Sequence, residues 1–203
     1  MSTCSEGIGE PPFLSFGVKS NLLIVLDNSG SMYDPAYVET AGTCEDSAYD
    51  PATLYAGYFD ATAWYTYNKV KGQFENTTEA AATAACTAAT GTKYSKAGTT
   101  CITVNQAVDP SVVNSFAALG NFLNWAAASK FDTQKKILTG GKWDEDPDNS
   151  EVTTNDGQLI MESRGCMNRR FIKQIPLDQF TNVDSYYLTL AVRPPMEEIF
   201  DIW

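Results

Sequence analysis

The clearest chemical candidate in the sequence is the alternating set Asp27, Ser29 and Ser31, within the run Asp-Asn-Ser-Gly-Ser. A tight loop can turn one carboxylate and two hydroxyls toward one point, and Gly30 permits the bend. Hard oxygen ligands of this kind suit Mg²⁺, Mn²⁺ or Ca²⁺, with water filling the remaining positions. Because only one ligand is anionic, the ion would stay attractive to a carboxylate from a partner, which indicates adhesion. The alternative is a turn in which these side chains only satisfy backbone donors.

A second acidic candidate is the set Asp144, Asp146 and Asp148, which has the one-three-five spacing of a calcium loop. The sixth position holds Asn149 where such a loop needs glycine, and the twelfth holds Asn155 where it needs glutamate. The pattern therefore favours a solvated acidic linker, with a calcium site as the alternative.

The composition excludes several classes of function. The chain has no histidine, which removes Ser-His-Asp and Cys-His catalysis and imidazole metal sites. Since no pair of carboxylates follows a defined strand either, we predict that the protein is not an enzyme. The formal net charge of −11 is unfavourable for binding nucleic acid or an anionic membrane.

The cysteines predict disulfides rather than a metal site. The chain has five, none of them in a CxxC pair: Cys4, Cys44, Cys86, Cys101 and Cys166. Disulfides are favoured over buried thiols, and Cys86 with Cys101 is the first pairing expected because it closes a loop of about 15 residues. No apolar run reaches the length of about 20 residues that a transmembrane helix needs. The first residues do not have the pattern of an export leader.

The motif follows residues 21–26, Asn-Leu-Leu-Ile-Val-Leu, a short and continuous apolar run. Continuous hydrophobicity at strand length, ended by turn residues, predicts a central strand that is covered on both faces. Open α/β sheets usually bind ligands at the carboxyl ends of their strands. The predicted strand would therefore position Asp27.

A long helix is predicted after the middle of the chain. Asp109 is the expected N-cap and Pro110 the first helical residue. The apolar stripe that follows has three- and four-residue spacing: Val112, Val113, Phe116, Leu119, Phe122, Leu123 and Ala126. The helix is expected to bend or restart near Phe131 and to end at Gly140, with lysines in its last turns.

The remaining segments are less regular. Residues 33–108 are interpreted as an insertion with its own aromatic core, and residues 80–90 in it fit either a loop or a weak helix. An adhesive surface is the alternative for its aromatic cluster: Tyr55, Tyr58, Phe59, Trp64, Tyr65 and Tyr67. Further strands are predicted at 158–163, 170–175 and 186–192.

The motif after an aliphatic strand resembles the metal-ion-dependent adhesion site of von Willebrand factor A domains. The wider pattern is similar to the N-terminal region of PilY1/PilC-type proteins of the type IV pilus tip. This similarity rests on segments that occur in the same order: PPFLSFGVKSNLLIVLDNSGSMYDPAY, YAGYFDATAWYTYN, NFLNWAAASKFDTQKKILTGG, ESRGC and FIKQIPL. Together they touch most of the chain.

The resemblance implies an α/β fold, a partial, Rossmann-like von Willebrand A domain with a mostly parallel central sheet and a long insertion after its first strand. The implied units are an N-terminal arm (1–20), the first strand and metal loop (21–32), the insertion (33–108), and a helix with its following strands (109–203). The family completes its metal site with a threonine and a second aspartate, and neither has a match here. The A-domain topology is therefore expected to be incomplete, and to be completed by other polypeptide.

The resemblance also implies a function. It describes an extracellular pilus protein that assists pilus assembly and retraction, contacts host cells or surfaces, and holds Mg²⁺, Mn²⁺ or Ca²⁺. The implied partners are pilin or minor pilin subunits, a chain that completes the fold, and a surface ligand with a carboxylate. Two rivals remain: a structural or priming subunit with no working metal site, and, ranked last, a metal-dependent hydrolase.

Overall fold

The computed structural model of the chain describes residues 23–38, 48–71, 73–96, 98–105, 111–141, 143–144, 158–159, 171–176, 187–191 and 200–202. The helices are a 3₁₀ helix (Gly30–Tyr33), α1 (Glu79–Ala88), α2 (Gly120–Ala127) and α3 (Lys130–Thr139). The strands are β1 (Trp64–Asn68), β2 (Gln73–Thr77), β3 (Thr92–Lys96), β4 (Thr100–Asn105), β5 (Ser111–Leu119), β6 (Trp143–Asp144), β7 (Gln158–Leu159), β8 (Phe171–Pro176), β9 (Tyr187–Ala191) and β10 (Phe200–Ile202). None of the helices in these ranges is long and apolar enough to cross a membrane.

Strand β5 is the centre of an eight-stranded sheet. One edge of β5 pairs with β4, which pairs in turn with β3. The other edge pairs with β1 near its carboxyl end and with β10 near its amino end. Strand β2 extends the sheet beyond β1, and β9 and β8 extend it beyond β10, while β6 and β7 form a separate pair. Strands from both sides of position 108 thus share one sheet.

The predicted mostly parallel sheet is wrong for the described part of the chain, where every strand pairing is antiparallel. The connections explain why. Strands β1 and β2, and likewise β3 and β4, are joined by only a few residues. Neighbouring parallel strands need a crossover of about a dozen residues or more, so such short links permit only hairpins.

The first half of the predicted long helix is instead strand β5. The pairing with β4 shifts register between Thr103 and Val104, so that Thr103 lies opposite Ser115 and Val104 opposite Val113. One extra residue, Asn114, is therefore inserted in β5 as a β-bulge. The bulge allows Val113 and Phe116, three positions apart, both to join the main core. A strand with a bulge can thus have buried apolar residues three positions apart, as an amphipathic helix does.

The alanine-rich stretch that fitted a loop or a weak helix forms α1. The Thr78 side chain caps its first turn by accepting a hydrogen bond from the Ala81 N–H. The buried face of α1 consists of Ala82 and Cys86. Cys86 forms a disulfide with Cys101 on β4, which confirms the predicted pairing and attaches α1 to the sheet.

The predicted restart of the helix is confirmed and separates α2 from α3. Ser129 caps α3, accepting a hydrogen bond from the Asp132 N–H while the Asp132 carboxylate accepts one from the Ser129 N–H. This reciprocal capping box fixes the turn between the two helices. Helix α3 ends as predicted at Gly140, which has a φ of 85°, with Lys136 in the last turn.

The core lies between the sheet, α2 and the aromatic loop that precedes β1. Every residue of α2 from Gly120 to Ala126 is buried. Tyr55 is buried in this core, and Phe59, Tyr65 and Tyr67 pack against it. These aromatic side chains therefore serve as core, but they join the main core with β5, α2, β8 and β9 and do not form the separate core that the interpretation as an insertion predicts. Strands β8 and β9 lie at the predicted positions 170–175 and 186–192, and β7 covers the first two residues of the strand predicted at 158–163, whose remainder lies outside the described residues.

Residues 23–26 do not form the predicted buried strand. They are assigned to no helix or strand, and all four are exposed, with Leu23 86% and Val25 85% accessible. The prediction failed because a strand exists only when another strand pairs with it. Among the described residues, nothing pairs with this run or covers it.

Candidate functional site

The motif side chains converge in an exposed loop. The Ser29 N–H donates a hydrogen bond of 2.8 Å to Asp27 Oδ1. The Ser29 and Ser31 hydroxyls are hydrogen-bonded to each other at 3.1 Å. The three predicted ligands are therefore brought together, and all of them are open to solvent.

The spacing of the two serine hydroxyls is that of a hydrogen bond, and it is also close to the spacing of two neighbouring ligands on a small divalent cation. Two neighbouring ligands of an octahedral Mg²⁺, each at about 2.1 Å, stand roughly 3.0 Å apart. The Ser29–Ser31 hydroxyl pair has nearly this spacing. The bond from the Ser29 N–H is the Asx turn of the alternative interpretation. It uses one lone pair of a carboxylate that has about four, so the Asp27 carboxylate keeps capacity for an ion.

The electrostatics favour the ionised form of Asp27. The Ser29 N–H and, to a smaller extent, the Ser29 hydroxyl hold the pKa of Asp27 below its ordinary value, because both stabilise the anion. Asp27 is fully exposed, so burial opposes this only slightly. The carboxylate is therefore available as a ligand at neutral pH.

The 3₁₀ helix Gly30–Tyr33 supports the second half of the motif. The Met32 N–H bonds to the Ser29 carbonyl at 3.0 Å, and the Asp34 N–H bonds to the Ser31 carbonyl at 3.2 Å. Both motif serines thus hold the loop through their backbone. Their hydroxyls are left to face each other across the turn.

The chain that leaves the motif is attached to the turn between α2 and α3. Pro35 forms an antiparallel bridge with Ser129. The Ala36 N–H donates to the Ala128 carbonyl at 2.8 Å, and the Lys130 N–H donates to the Asp34 carbonyl at 3.1 Å. The first residue of helix α3 is thus hydrogen-bonded to the chain that leaves the motif loop.

Aromatic and buried polar side chains reinforce this attachment. The rings of Tyr33 and Phe131 pack with their centroids 5.0 Å apart. The Tyr37 hydroxyl bonds to both the carbonyl and the N–H of Ala56. The ammonium of Lys173 donates to the Tyr37 carbonyl at 2.7 Å. The exit of the loop is therefore fixed to the core from several sides.

The second acidic candidate is only partly placed. Asp144 belongs to β6 and pairs through its backbone position with Gln158 of β7. Asp146 and Asp148 lie outside the described residues. Within the described ranges, no group of three His, Cys, Asp or Glu side chains comes together to hold a metal. The motif at Asp27 has a single carboxylate and two hydroxyls.

Sequence reasoning missed the buried polar residues that support the site. Asn121 and Asn124 lie inside α2, and Lys173 lies on β8 with 1% of its surface exposed. A signal was present in the sequence for each of them. The two asparagines interrupt a helix that is otherwise apolar all round, and Lys173 lies two positions from Phe171 and from Ile175, which strand alternation would place on its own face. A polar residue in such a position needs a buried hydrogen-bond partner.

A comparison with known protein families matches residues 46–98 and 93–191 to the family described as PilY1 homolog, small alpha/beta domain. The two matches together cover well over half of the chain. The chain belongs to this family. Membership confirms the PilY1-type resemblance and a mixed α/β fold, and it indicates a pilus-associated protein. No curated protein and no solved structure matches the chain.

The family match contains β1 to β9 and all three α-helices, whereas the motif lies before its first residue. The described part of the PilY1-homolog domain therefore accounts for the core and for every strand of the large sheet except β10, which lies beyond the matched residues. Asp27, Ser29 and Ser31 stand outside the matched region, although the segment that follows them is bonded to it.

Proposed function

We propose that this chain is part of an extracellular type IV pilus protein that holds one divalent cation through Asp27, Ser29 and Ser31. Mg²⁺ is the expected ion, with Mn²⁺ or Ca²⁺ as substitutes. The observation that carries the proposal is the convergence of the two serine hydroxyls, 3.1 Å apart, beside an ionised and exposed carboxylate. Membership in the PilY1-homolog family supplies the pilus context.

The expected role of the ion is adhesive. One carboxylate and two neutral hydroxyls leave most of the charge of a divalent cation uncompensated, and water would occupy its remaining positions. A carboxylate from a surface ligand or pilus partner could replace one of those waters. The proposal assigns no catalytic residue, in keeping with a chain that contains no histidine.

Calorimetric titration with Mg²⁺ tests the site. Asp27→Ala removes the only anionic ligand, so we expect binding to weaken by about a hundredfold or more, roughly 2.7 kcal/mol. Asp60→Ala is the matched control, because Asp60 is also an exposed carboxylate that accepts the N–H of the residue two positions later. Equal titrations of Asp27→Ala and the parent chain would remove the site assignment.

A second candidate is a structural or priming subunit that other polypeptide completes. It is favoured by two apolar surfaces without cover in the described ranges, residues 23–26 and the end of α3, where Ile137 is 74% exposed. A strand with apolar side chains on both faces requires strands beside it and layers above and below. In this view, the motif adjoins a further sheet of the von Willebrand A type.

Co-purification from cells separates the two candidates. A structural subunit should remain with pilin-like subunits when EDTA removes divalent cations. An ion-dependent adhesin should retain its pilus partners but lose its surface ligand in EDTA and regain it with Mg²⁺. Asp27→Ala should reproduce the effect of EDTA only in the adhesive case.

A further inference from the structure

Lys173 is a buried cation on strand β8, with 1% of its surface exposed. Its ammonium donates hydrogen bonds to the Tyr37 carbonyl at 2.7 Å and to the Trp125 carbonyl at 3.0 Å. It also lies 3.7 Å from the centroid of the Trp125 ring. The Lys173 side chain therefore connects its own strand of the sheet to helix α2 and to the segment that follows the motif.

The Trp125 contact has a clear physical cause. Trp125 is in the last turn of α2, where carbonyls have no donor within the helix. A continuing helix would supply the Ser129 N–H, but that group bonds to the Asp132 carboxylate instead. The Lys173 ammonium takes its place, and a cation at a helix carboxyl end is electrostatically favourable.

The Tyr37 contact adds a different function. Burial of an ammonium is costly unless strong hydrogen bonds compensate it, so a leucine at this position would satisfy packing more simply. The segment from Tyr33 to Tyr37 belongs to no strand of the sheet, and its position depends on separate contacts. Lys173 supplies the contact that joins this segment to β8, which is 136 residues away in the chain.

We propose that Lys173 is a positioning residue for the motif loop. Its ammonium fixes the segment from Tyr33 to Tyr37 against the end of α2, and this segment sets where the loop with Ser29 and Ser31 projects. The consequence for the cation rests on the function proposed above, whereas the placement of the segment does not. Before the motif, residues 23–26 have no equivalent attachment among the described residues, so this exit is the anchored side of the loop.

Amide hydrogen exchange of the full chain tests the placement. Lys173→Met keeps a long apolar side chain against Trp125 and removes the ammonium. We expect at least about tenfold faster exchange at the amides of Ala36 and Lys130, which bond across the attachment. The β4 amide of Ile102 should keep its rate. Lys69→Met, which changes an exposed lysine, is the control and should alter none of these rates.

The outcomes separate the two proposals. Unchanged exchange at Ala36 and Lys130, or an equal increase at Ile102, would show that Lys173 only stabilises the core and would overturn the inference. If the parent chain binds Mg²⁺, Lys173→Met should weaken that binding at least about threefold, and unchanged affinity would overturn the link to the site. If the parent chain binds no Mg²⁺, the function fails, and the exchange rates still decide the placement.

If Lys173→Met does not fold, an NMR measurement on the parent chain tests the placement of Lys173. A buried and hydrogen-bonded ammonium exchanges its protons with water slowly, so Lys173 should give a resolved ammonium resonance with a cross-peak to the Tyr37 α-proton. Finding the Lys173 ammonium in rapid exchange with water would overturn the placement.

Discussion

At the residue scale, Asn121 and Asn124 of α2 bond to the backbone of the loop before β1 as a neighbouring strand would. The Asn121 amide bonds to the Tyr55 N–H and the Thr53 carbonyl. The Asn124 amide bonds to the Phe59 N–H and to two carbonyls. Side chains of α2 therefore satisfy backbone groups of the loop before β1, beside the backbone bonds that Gly120 and Asn121 donate to Ala63 and Ala61.

Asn124→Ala should destabilise the fold strongly. The substitution leaves the Phe59 N–H and the carbonyls of Tyr55 and Phe59 without their partner, and we expect a loss of about 3 kcal/mol in the free energy of unfolding. Asn68→Ala is the control, because Asn68 accepts N–H bonds in an exposed turn and should cost about 1 kcal/mol or less. Urea denaturation measures both values. Similar losses in the two variants would mean that the hydrogen bonds of the buried Asn124 side chain contribute little to stability.

The motif carboxylate makes a prediction about pH. In metal-free buffer Asp27 should titrate below 3.8, its ordinary value, because the Ser29 N–H and hydroxyl stabilise the anion. Ser29→Ala should raise the pKa of Asp27 toward that value. Mg²⁺ affinity should stay constant from neutral pH downward and fall only as the pH passes through the lowered pKa, since protonation removes the ligand.

Carbon NMR titration of the side-chain carboxyls measures this pKa. Thr62→Ala is the control, because Thr62 makes the corresponding contacts to Asp60 and should raise the pKa of Asp60 alone. An Asp27 that titrates at or above 3.8 in the parent chain would contradict the observed turn.

The motif itself could be predicted from sequence because it is local. Asp27, Ser29 and Ser31 meet through hydrogen bonds between residues two positions apart, so the contacts depend on the local turn alone. Lys173 could not be predicted in the same way, since its partners Tyr37 and Trp125 are distant in sequence and meet only through the tertiary fold.

At the scale of elements, local sequence signals located the end of a helix better than they distinguished helices from strands. Gly140, the predicted end of the helix, is the C-cap of α3, because a cap acts within one turn of the chain, whereas the N-cap Ser129 was not predicted. The residues before α2 carried a helical spacing but form β5, since pairing with β4 and β1 outweighs a periodicity that a bulge can imitate.

The disulfide between Cys86 and Cys101 should be a major contribution to the stability of these elements. Helix α1 is short and buries only Ala82 and Cys86, and it is attached to β4 by this bond and by the hydrogen bond that the Thr103 hydroxyl donates to the Cys86 carbonyl. Cys86→Ala with Cys101→Ala should lower the free energy of unfolding by about 3 kcal/mol, the entropy of a closed loop of this length. Urea denaturation with and without reductant provides the test. A parent chain whose unfolding is unchanged by reductant would contradict it.

At the scale of the whole molecule, the described part of the chain exposes apolar surface at several places, one of them directly before the motif. Residues 23–26 lead into it, and α3, which carries exposed Ile137 and Leu138, begins where the loop is attached. Asp132 is the one residue of α3 that is buried. A ten-residue helix is marginal without a packed apolar face. Both features are what the proposed structural subunit requires, namely a surface that other polypeptide covers.

Leu23→Ser with Val25→Ser should separate folding from association. Both side chains are mostly exposed, so the double variant should change the free energy of unfolding of the 203-residue chain by about 0.5 kcal/mol or less. It should nevertheless greatly reduce the recovery of pilus subunits with the tagged protein from cells, because a strand with serine on one face no longer suits an apolar layer.

Val70→Ser is the matched control, because Val70 is 97% exposed in the turn between β1 and β2, away from the motif in the described structure. It should alter neither stability nor recovery. A large loss of stability in the Leu23 and Val25 double variant would show that the chain itself buries residues 23–26. Unchanged recovery would show that the surface is not used by a partner, and the cation site would then have to act without a sheet beside it.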